Sequence, residues 1–285
     1  MNIRLSETDD IKGIVSLWRE AFGDSEEEIM FFIDNKYVPE NTVIAECDGE
    51  IASVLFLLEG EMSIKGSKYP SYYLYAACTL KKFRGRGIMA NLLSEAEKIA
   101  LLRGYDFICL MPGEKSLFDF YSKHGYKTVF NKKVLTLNLN DILKGNTIEC
   151  NKNNNLSCSE MRNQAFAELD FFRWDEQSIK FAFEHTELYN GLVFRNCNGY
   201  CLYTIVNGAI HVKEFAFTHE NLLEIMRLII TKNGCETAIL NLPSEYKTEI
   251  GKYEIVPSAM MVCVNERSTA VFEKIKNAYL GLTLD

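Results

Sequence analysis

Arg84-Gly85-Arg86-Gly87-Ile88-Met89 lies between an apolar strand pattern at 72–79 and an amphipathic helix pattern at 88–103. In the helix pattern Ile88, Leu92, Leu93, Ala96, Ile99 and Ala100 recur at helical spacing. Gly85 and Gly87 give a turn whose N–H groups are open to a ligand, because no Cβ stands in front of them. The helix N-terminus that follows adds orphan donors and the positive end of the dipole. Arg84 and Arg86 add cationic donors at the rim. A loop of this kind binds phosphate, and its build suits a pyrophosphate. Its spacing is neither that of a Walker loop nor that of a Rossmann fingerprint. A tight connection with two solvated arginines is the plain alternative.

Downstream residues favour the ligand reading. After Gly104 come the apolar run Phe107-Ile108-Cys109-Leu110-Met111, then Pro112-Gly113, a short aromatic helix pattern at 116–123, and Gly125-Tyr126 before a further strand pattern. This order resembles the Gcn5-related N-acetyltransferase (GNAT) family: strand, Arg-x-x-Gly-x-Gly/Ala loop, helix, strand, then an FYxKxGY segment. The chain carries Arg84-x-x-Gly87-x-Met89 and Phe120-Tyr121-Ser122-Lys123-His124-Gly125-Tyr126. Met89 departs from the usual Gly or Ala, as happens in the branch typified by the enhanced-intracellular-survival acetyltransferases, which are built from tandem acetyltransferase-like units. The resemblance spans about residues 1–140 and includes Trp18 and Phe22 on the first helix pattern. It implies acetyl-CoA as donor and a primary amine as acceptor, on a mixed α/β fold with a largely antiparallel central sheet flanked by helices.

The N-terminal part reads as a helix at 9–21, then a second helix opening at Ser25 with a Ser25/Glu28 capping box. Strands follow at 42–47, 51–58 and 61–64, with turns at Asp48-Gly49 and Lys65-Gly66. An Asn-rich stretch at 150–157 reads as a linker. Beyond it the pattern starts again: helices at 159–167 and 176–184, strands at 192–196, 200–206 and 209–217, a helix at 220–232 and a strand at 238–242. Two tandem GNAT-like units are expected, a catalytic one at 1–145 and a degenerate one at 146–285.

The differences between the copies assign the chemistry to the first. Thr79 lies 33 residues before Pro112, whereas Phe217 lies 26 before Pro243. The missing seven match the loop at 80–86. The second copy reaches its helix through Thr218-His219, with no glycine or arginine, and has no counterpart of the aromatic helix carrying Tyr121. It is expected to wall one side of the substrate cleft. An unrelated α/β domain is the alternative.

Composition agrees with an enzyme of this kind and excludes some others. The chain of 285 residues holds nine cysteines, with no Cys-x-x-Cys pair, and a net charge of −8. No apolar run is long enough for a membrane span, and the first residues lack a signal-peptide core. Reduced, buried thiols in the cytoplasm are expected. The acidic balance argues against nucleic-acid binding. No metal-ligand spacing stands out.

Acetyl transfer needs the amine deprotonated, the thioester carbonyl held, and the leaving thiolate protonated. Backbone N–H groups of Ala77, Cys78 and Thr79 can hold the carbonyl oxygen. Ile88 and Met89 complete the donor loop with Arg84, Gly85, Arg86 and Gly87. In the family a splayed gap between the strand at 72–79 and that at 107–111 takes the pantetheine, and Tyr121 matches the tyrosine that protonates the thiolate. For the base, Glu28, Glu59, Glu61 and His124 each have a structural reading. Asp285 is the remaining candidate, by resemblance to the enhanced-intracellular-survival enzymes, whose terminal carboxylate reaches the active site. A non-catalytic acyl-CoA sensor and a tandem-domain interaction protein without cofactor are the alternatives.

Overall fold

Ser25 accepts the Glu28 N–H through its side chain at 3.2 Å, and Glu28 returns the bond to the Ser25 N–H at 2.7 Å. This reciprocal cap starts the second helix where the sequence puts it. The computed structural model describes residues 1–143, 155–218 and 221–283. In chain order the elements are β1 (Asn2–Leu5), α1 (Ile11–Phe22), α2 (Glu26–Lys36), β2 (Thr42–Cys47), β3 (Glu50–Ile64), β4 (Ser67–Thr79), α3 (Ile88–Leu102), β5 (Phe107–Leu110), α4 (Lys115–Ser122) and β6 (Lys127–Asn138). They continue with α5 (Leu139–Ile142), α6 (Cys158–Ala165), β7 (Phe171–Arg173), α7 (Glu176–Leu188), β8 (Leu192–Asn196), β9 (Gly199–Val206), β10 (Ala209–Ala216), α8 (Leu222–Asn233), β11 (Thr237–Pro243), β12 (Lys252–Cys263) and α9 (Thr269–Phe272).

The chain forms two compact units that are interleaved in sequence. The first comprises Met1–Glu61, Tyr69–Lys127 and Met260–Lys274; the second comprises Met62–Lys68, Thr128–Ala259 and Ile275–Asp285. The single boundary expected at 145 is therefore replaced by several crossings. Composition marks a polar stretch but does not register which unit a strand joins, and β6 and β12 both carry enough apolar residues to enter either. Of the expected linker, 150–154 lie outside the described residues.

In the first unit the strands run β1, β2, β3, β4, β5, with residues 260–263 of β12 beyond β5. β1–β2 and β2–β3 are antiparallel, β4–β5 is parallel, and 260–263 pair antiparallel with 107–110. The parallel pair is joined by the crossover helix α3, as parallel neighbours require. The core takes Ile14, Leu17 and Trp18 from α1, Phe32 from α2, Val54 and Phe56 from β3, and Leu92 and Ala96 from α3. The two strands expected at 51–58 and 61–64 are one strand, because Glu59-Gly60 stays extended instead of turning.

In the second unit the order is β6, β11, β10, β9, β8. Again the parallel pair, β10–β11, is joined by a crossover helix, α8. Leu135, Leu137, Tyr203, Ile210, Phe215, Met226, Ile229 and Leu240 form its core. The sequence reading omits β7, whose three residues are too few to show a period. The apolar tail docks here through isolated bridges, Phe130 to Ala278 and Phe171 to Tyr279. Arg162 and Glu214, both with fully buried side chains, pair at 3.0 Å beneath it. The same guanidinium donates to the carbonyls of Phe172 and Leu280, and Glu214 accepts the Leu282 N–H at 2.6 Å.

Candidate active site

β4 and β5 are in register only from Ser71/Phe107 to Tyr73/Cys109. β4 then runs on to Thr79, while β5 is held by its other neighbour, with Leu110 opposite Met260. Ala76 takes φ +46° within this unpaired length. An L-residue in the left-handed region costs about 1–2 kcal/mol, so the surrounding sheet must enforce the bend. Ala77, Cys78 and Thr79 follow it, beyond the last residue of β4 that has a β5 partner.

Ser53 of β3 fixes the end of that edge. Its hydroxyl donates to the Cys78 carbonyl at 2.7 Å and lies 2.8 Å from Thr79 Oγ1. The Leu80 N–H donates to Ala52 at 2.9 Å. Sequence reasoning missed Ser53. Its signal is a hydroxyl at an inward-facing position of the apolar run 52–58, where it is fully buried.

The loop that follows is more specific than its sequence suggests. Arg84 turns back and donates its Nε to the Thr79 carbonyl at 2.9 Å, so one guanidinium edge ties the loop to the strand. Arg86 lies 5.1 Å from the ring centroid of buried Phe83, a cation–π contact that fixes it at the rim. Gly85 and Gly87 have φ of +77° and +74°, and a Cβ at either would meet nothing within 4 Å. The glycines are therefore required by backbone conformation, and the space in front of them is open as expected.

Gly87 caps α3 with no side-chain bond, and the first turn carries no acidic residue. The first helical bond is Asn91 N–H to the Gly87 carbonyl at 3.2 Å. The N–H groups of residues 85–90 make no hydrogen bond to other described residues. Six consecutive donors thus lack a partner among the described residues, and no carboxylate of the first turn offsets the helix dipole. Ile88 itself is buried and anchors the helix, while Met89 is half-buried on the rim.

α4 brings Tyr121 to the same end of β4. The side chain is 7% exposed, and burial, with Cys78 adding to it, pushes its phenol up to about 12. Cys78 is itself buried, and its thiol is driven well above the ordinary range. It is inert as a nucleophile at neutral pH. Immediately before the bend, Tyr75 stacks on Phe32 at 4.9 Å, within an aromatic group that includes Trp18 and Phe56. Trp18 Nε1 donates to Asp24 at 2.7 Å, and Phe22 is half exposed.

Three of the other sequence candidates have structural partners. Glu28 is engaged in its capping box. Glu59 accepts from Asn41 Nδ2 at 3.3 Å, and the His124 ring packs on Phe120 at 4.9 Å. Asp285 lies outside the described residues, as does His219 in the shortened connection of the second unit. No cluster of His, Cys, Asp or Glu among the described residues is arranged to hold a metal ion. No helix among them is long and apolar enough to cross a membrane.

Comparison with known proteins agrees with this geometry. The model for the family described as "Acetyltransferase (GNAT) domain" matches residues 2–129. The Pectobacterium atrosepticum protein named acetyltransferase ECA0875 is 33% identical over 137 residues, which is 45% of this chain and 89% of that protein. Among solved structures, a GCN5-related N-acetyltransferase from Anabaena variabilis aligns with a TM-score of 0.71 at 13% identity, over 93% of this chain and 73% of its own. Eis1 from Mycobacterium abscessus aligns with a TM-score of 0.68 at 13% identity, over 95% and 75%. These two likenesses bear on the fold; the sequence matches establish that the chain belongs to the GNAT acetyltransferase family and is an acyl-CoA-dependent N-acyltransferase.

Proposed function

We propose that the chain moves an acetyl group from acetyl-CoA to a primary amine, and that the first unit does so alone. The observation that carries this reading is the row of N–H groups at 85–90 without partners among the described residues, in a loop that Arg84 ties to the Thr79 end of β4, where Cys78 acts on Tyr121. A pyrophosphate fits such a cradle, since it needs converging donors and no opposing carboxylate. Arg86 supplies charge at the rim, and Arg84 holds the loop against Thr79. The unpaired length of β4 offers backbone N–H groups of residues 77–79 to the thioester carbonyl, where negative charge develops during attack.

Tyr121 then gives its proton to the departing sulfur. With its phenol pushed up to about 12 it is fully protonated at neutral pH, as an acid at this step must be. The acceptor is a small cationic amine, an aminoglycoside-like amine or a peptide amine. The second unit keeps the strand–helix–strand core, but its β10–α8 connection has neither glycine nor arginine, so we assign it no donor site.

Incubation with acetyl-CoA and a panel of polyamines, aminoglycosides and peptides, read by mass spectrometry, tests the assignment. A gain of one acetyl group on an amine, dependent on the protein, is expected. Tight acetyl-CoA binding with no product from any amine would instead favour an acyl-CoA sensor.

A further inference from the structure

Two hydrogen bonds to β3 fix which way the backbone points at the end of β4. The Leu80 N–H donates to the Ala52 carbonyl at 2.9 Å. In a trans peptide the carbonyl and the N–H of one plane point in opposite directions, so the Thr79 carbonyl faces away from β3. The same holds one peptide earlier. The Cys78 carbonyl accepts the Ser53 hydroxyl at 2.7 Å, so the Thr79 N–H also faces away from β3. Both backbone groups of Thr79 therefore lie on the β5 side of β4, past Tyr73, where the pairing with β5 has ended.

Arg84 meets Thr79 on that side. Its Nε donates to the Thr79 carbonyl at 2.9 Å. Thr79 Oγ1 lies 2.8 Å from the Ser53 hydroxyl, so two side chains hold this one residue. The rest of the Arg84 head is uncommitted: Nη1 and Nη2 have no hydrogen-bond or ion-pair partner among the described residues, and the side chain is exposed. Lys82, by contrast, is paired with Glu50 at 2.6 Å. A guanidinium carries its five donors in one rigid plane. Nε can stay on the Thr79 carbonyl while the terminal nitrogens bind a phosphate. A lysine has the charge but not the second, fixed set of donors.

We propose that Arg84 is a positioning residue for acetyl transfer: it holds the Thr79 peptide so that its N–H meets the thioester carbonyl, and the same side chain takes a phosphate of the donor. The proposal rests on the reading of the 84–89 loop as the donor site and deepens it. Arg84 then links the two ends of acetyl-CoA. Phosphate seated at the loop steadies the carbonyl of Thr79, and with it the donor that faces the charge developing on the thioester oxygen. Without the link the Thr79 peptide is free to swing on its open side, and a small misplacement of such a donor costs up to about a hundredfold in rate.

The test uses Arg84→Lys and Arg84→Met in the full chain, with an amine that the wild type acetylates. Calorimetry gives the dissociation constant of CoA, and rapid quench gives the single-turnover rate at saturating acetyl-CoA. Arg84→Lys keeps the charge for phosphate and loses the planar link. Its CoA dissociation constant should stay within about threefold of wild type while the single-turnover rate falls about tenfold or more. A wild-type rate with only weaker binding would make Arg84 plain rim charge and overturn the proposal. Loss of both together would mean that the loop has collapsed, and overturns it equally. Acetyl-pantetheine, which has the thioester and no pyrophosphate, supplies the second readout. Arg84→Met should lower kcat/KM for this donor too, although it offers no phosphate to bind; an unchanged value contradicts the link. A wild-type chain that binds no CoA would instead remove the donor-site reading itself.

Discussion

Tyr121 is buried, and burial sets both its protonation and its use. Its phenol sits near 12 in the folded chain, against about 10 when unfolded. Tyr121→Phe should slow the first turnover by about a hundredfold and leave the acetyl-CoA dissociation constant unchanged, as measured by rapid quench and by calorimetry. The shift also makes a statement about stability. Below pH 10 the group is neutral in both states, and its contribution is fully present. As pH rises from about 10 to 12 the unfolded chain ionises first, so that contribution is lost. Denaturant titrations across that window should show a smaller stability loss for Tyr121→Phe than for the wild type. Ser53 matters by a different route. Ser53→Ala leaves the buried Cys78 carbonyl without its donor, a loss of about 1–3 kcal/mol. The same change frees the end of β4, so the KM for acetyl-CoA should rise more than kcat falls.

At the scale of elements, the loop and its helix were legible because their signals are local. Glycine spacing, an apolar stripe and a capping residue act within a few positions, and so β2, the Asp48-Gly49 turn and the Ser25/Glu28 cap fall where the sequence puts them. The bend at Ala76 was not legible, since alanine carries no preference for φ +46° and only the neighbouring strands impose it. Composition marks Arg84 as rim charge alone, yet its Nε is spent on the Thr79 carbonyl. Side-chain direction of that kind depends on the loop's path and not on its composition. Gly87→Ala should cost about 1–2 kcal/mol by forcing a Cβ into the left-handed region, seen as a lower melting temperature. No clash accompanies it, because the space around Gly87 is open.

At the scale of the molecule, the duplicated pattern was legible and the assignment of strands was not. Each unit holds a parallel pair spanned by a helix, as the repeated sequence order implies. Each also includes a segment from far along the chain, and pairing over more than a hundred residues leaves no local trace. A fragment ending at residue 145 lacks 260–263, the antiparallel neighbour of β5. It should show no cooperative melt by circular dichroism, and adding the 146–285 fragment during refolding should restore one. The buried Arg162–Glu214 pair gives a second check. Arg162→Met alone strands a buried carboxylate and should cost about 3–5 kcal/mol, while the double change to Met and Leu should cost less.

The most direct measurement is a calorimetric titration of acetyl-CoA into the wild-type chain and into Gly87→Glu. The account predicts one binding event per chain in the wild type and none in the variant, whose carboxylate stands among the donors meant for phosphate. Equal binding by both proteins would move the donor site off the 84–89 loop and contradict the account.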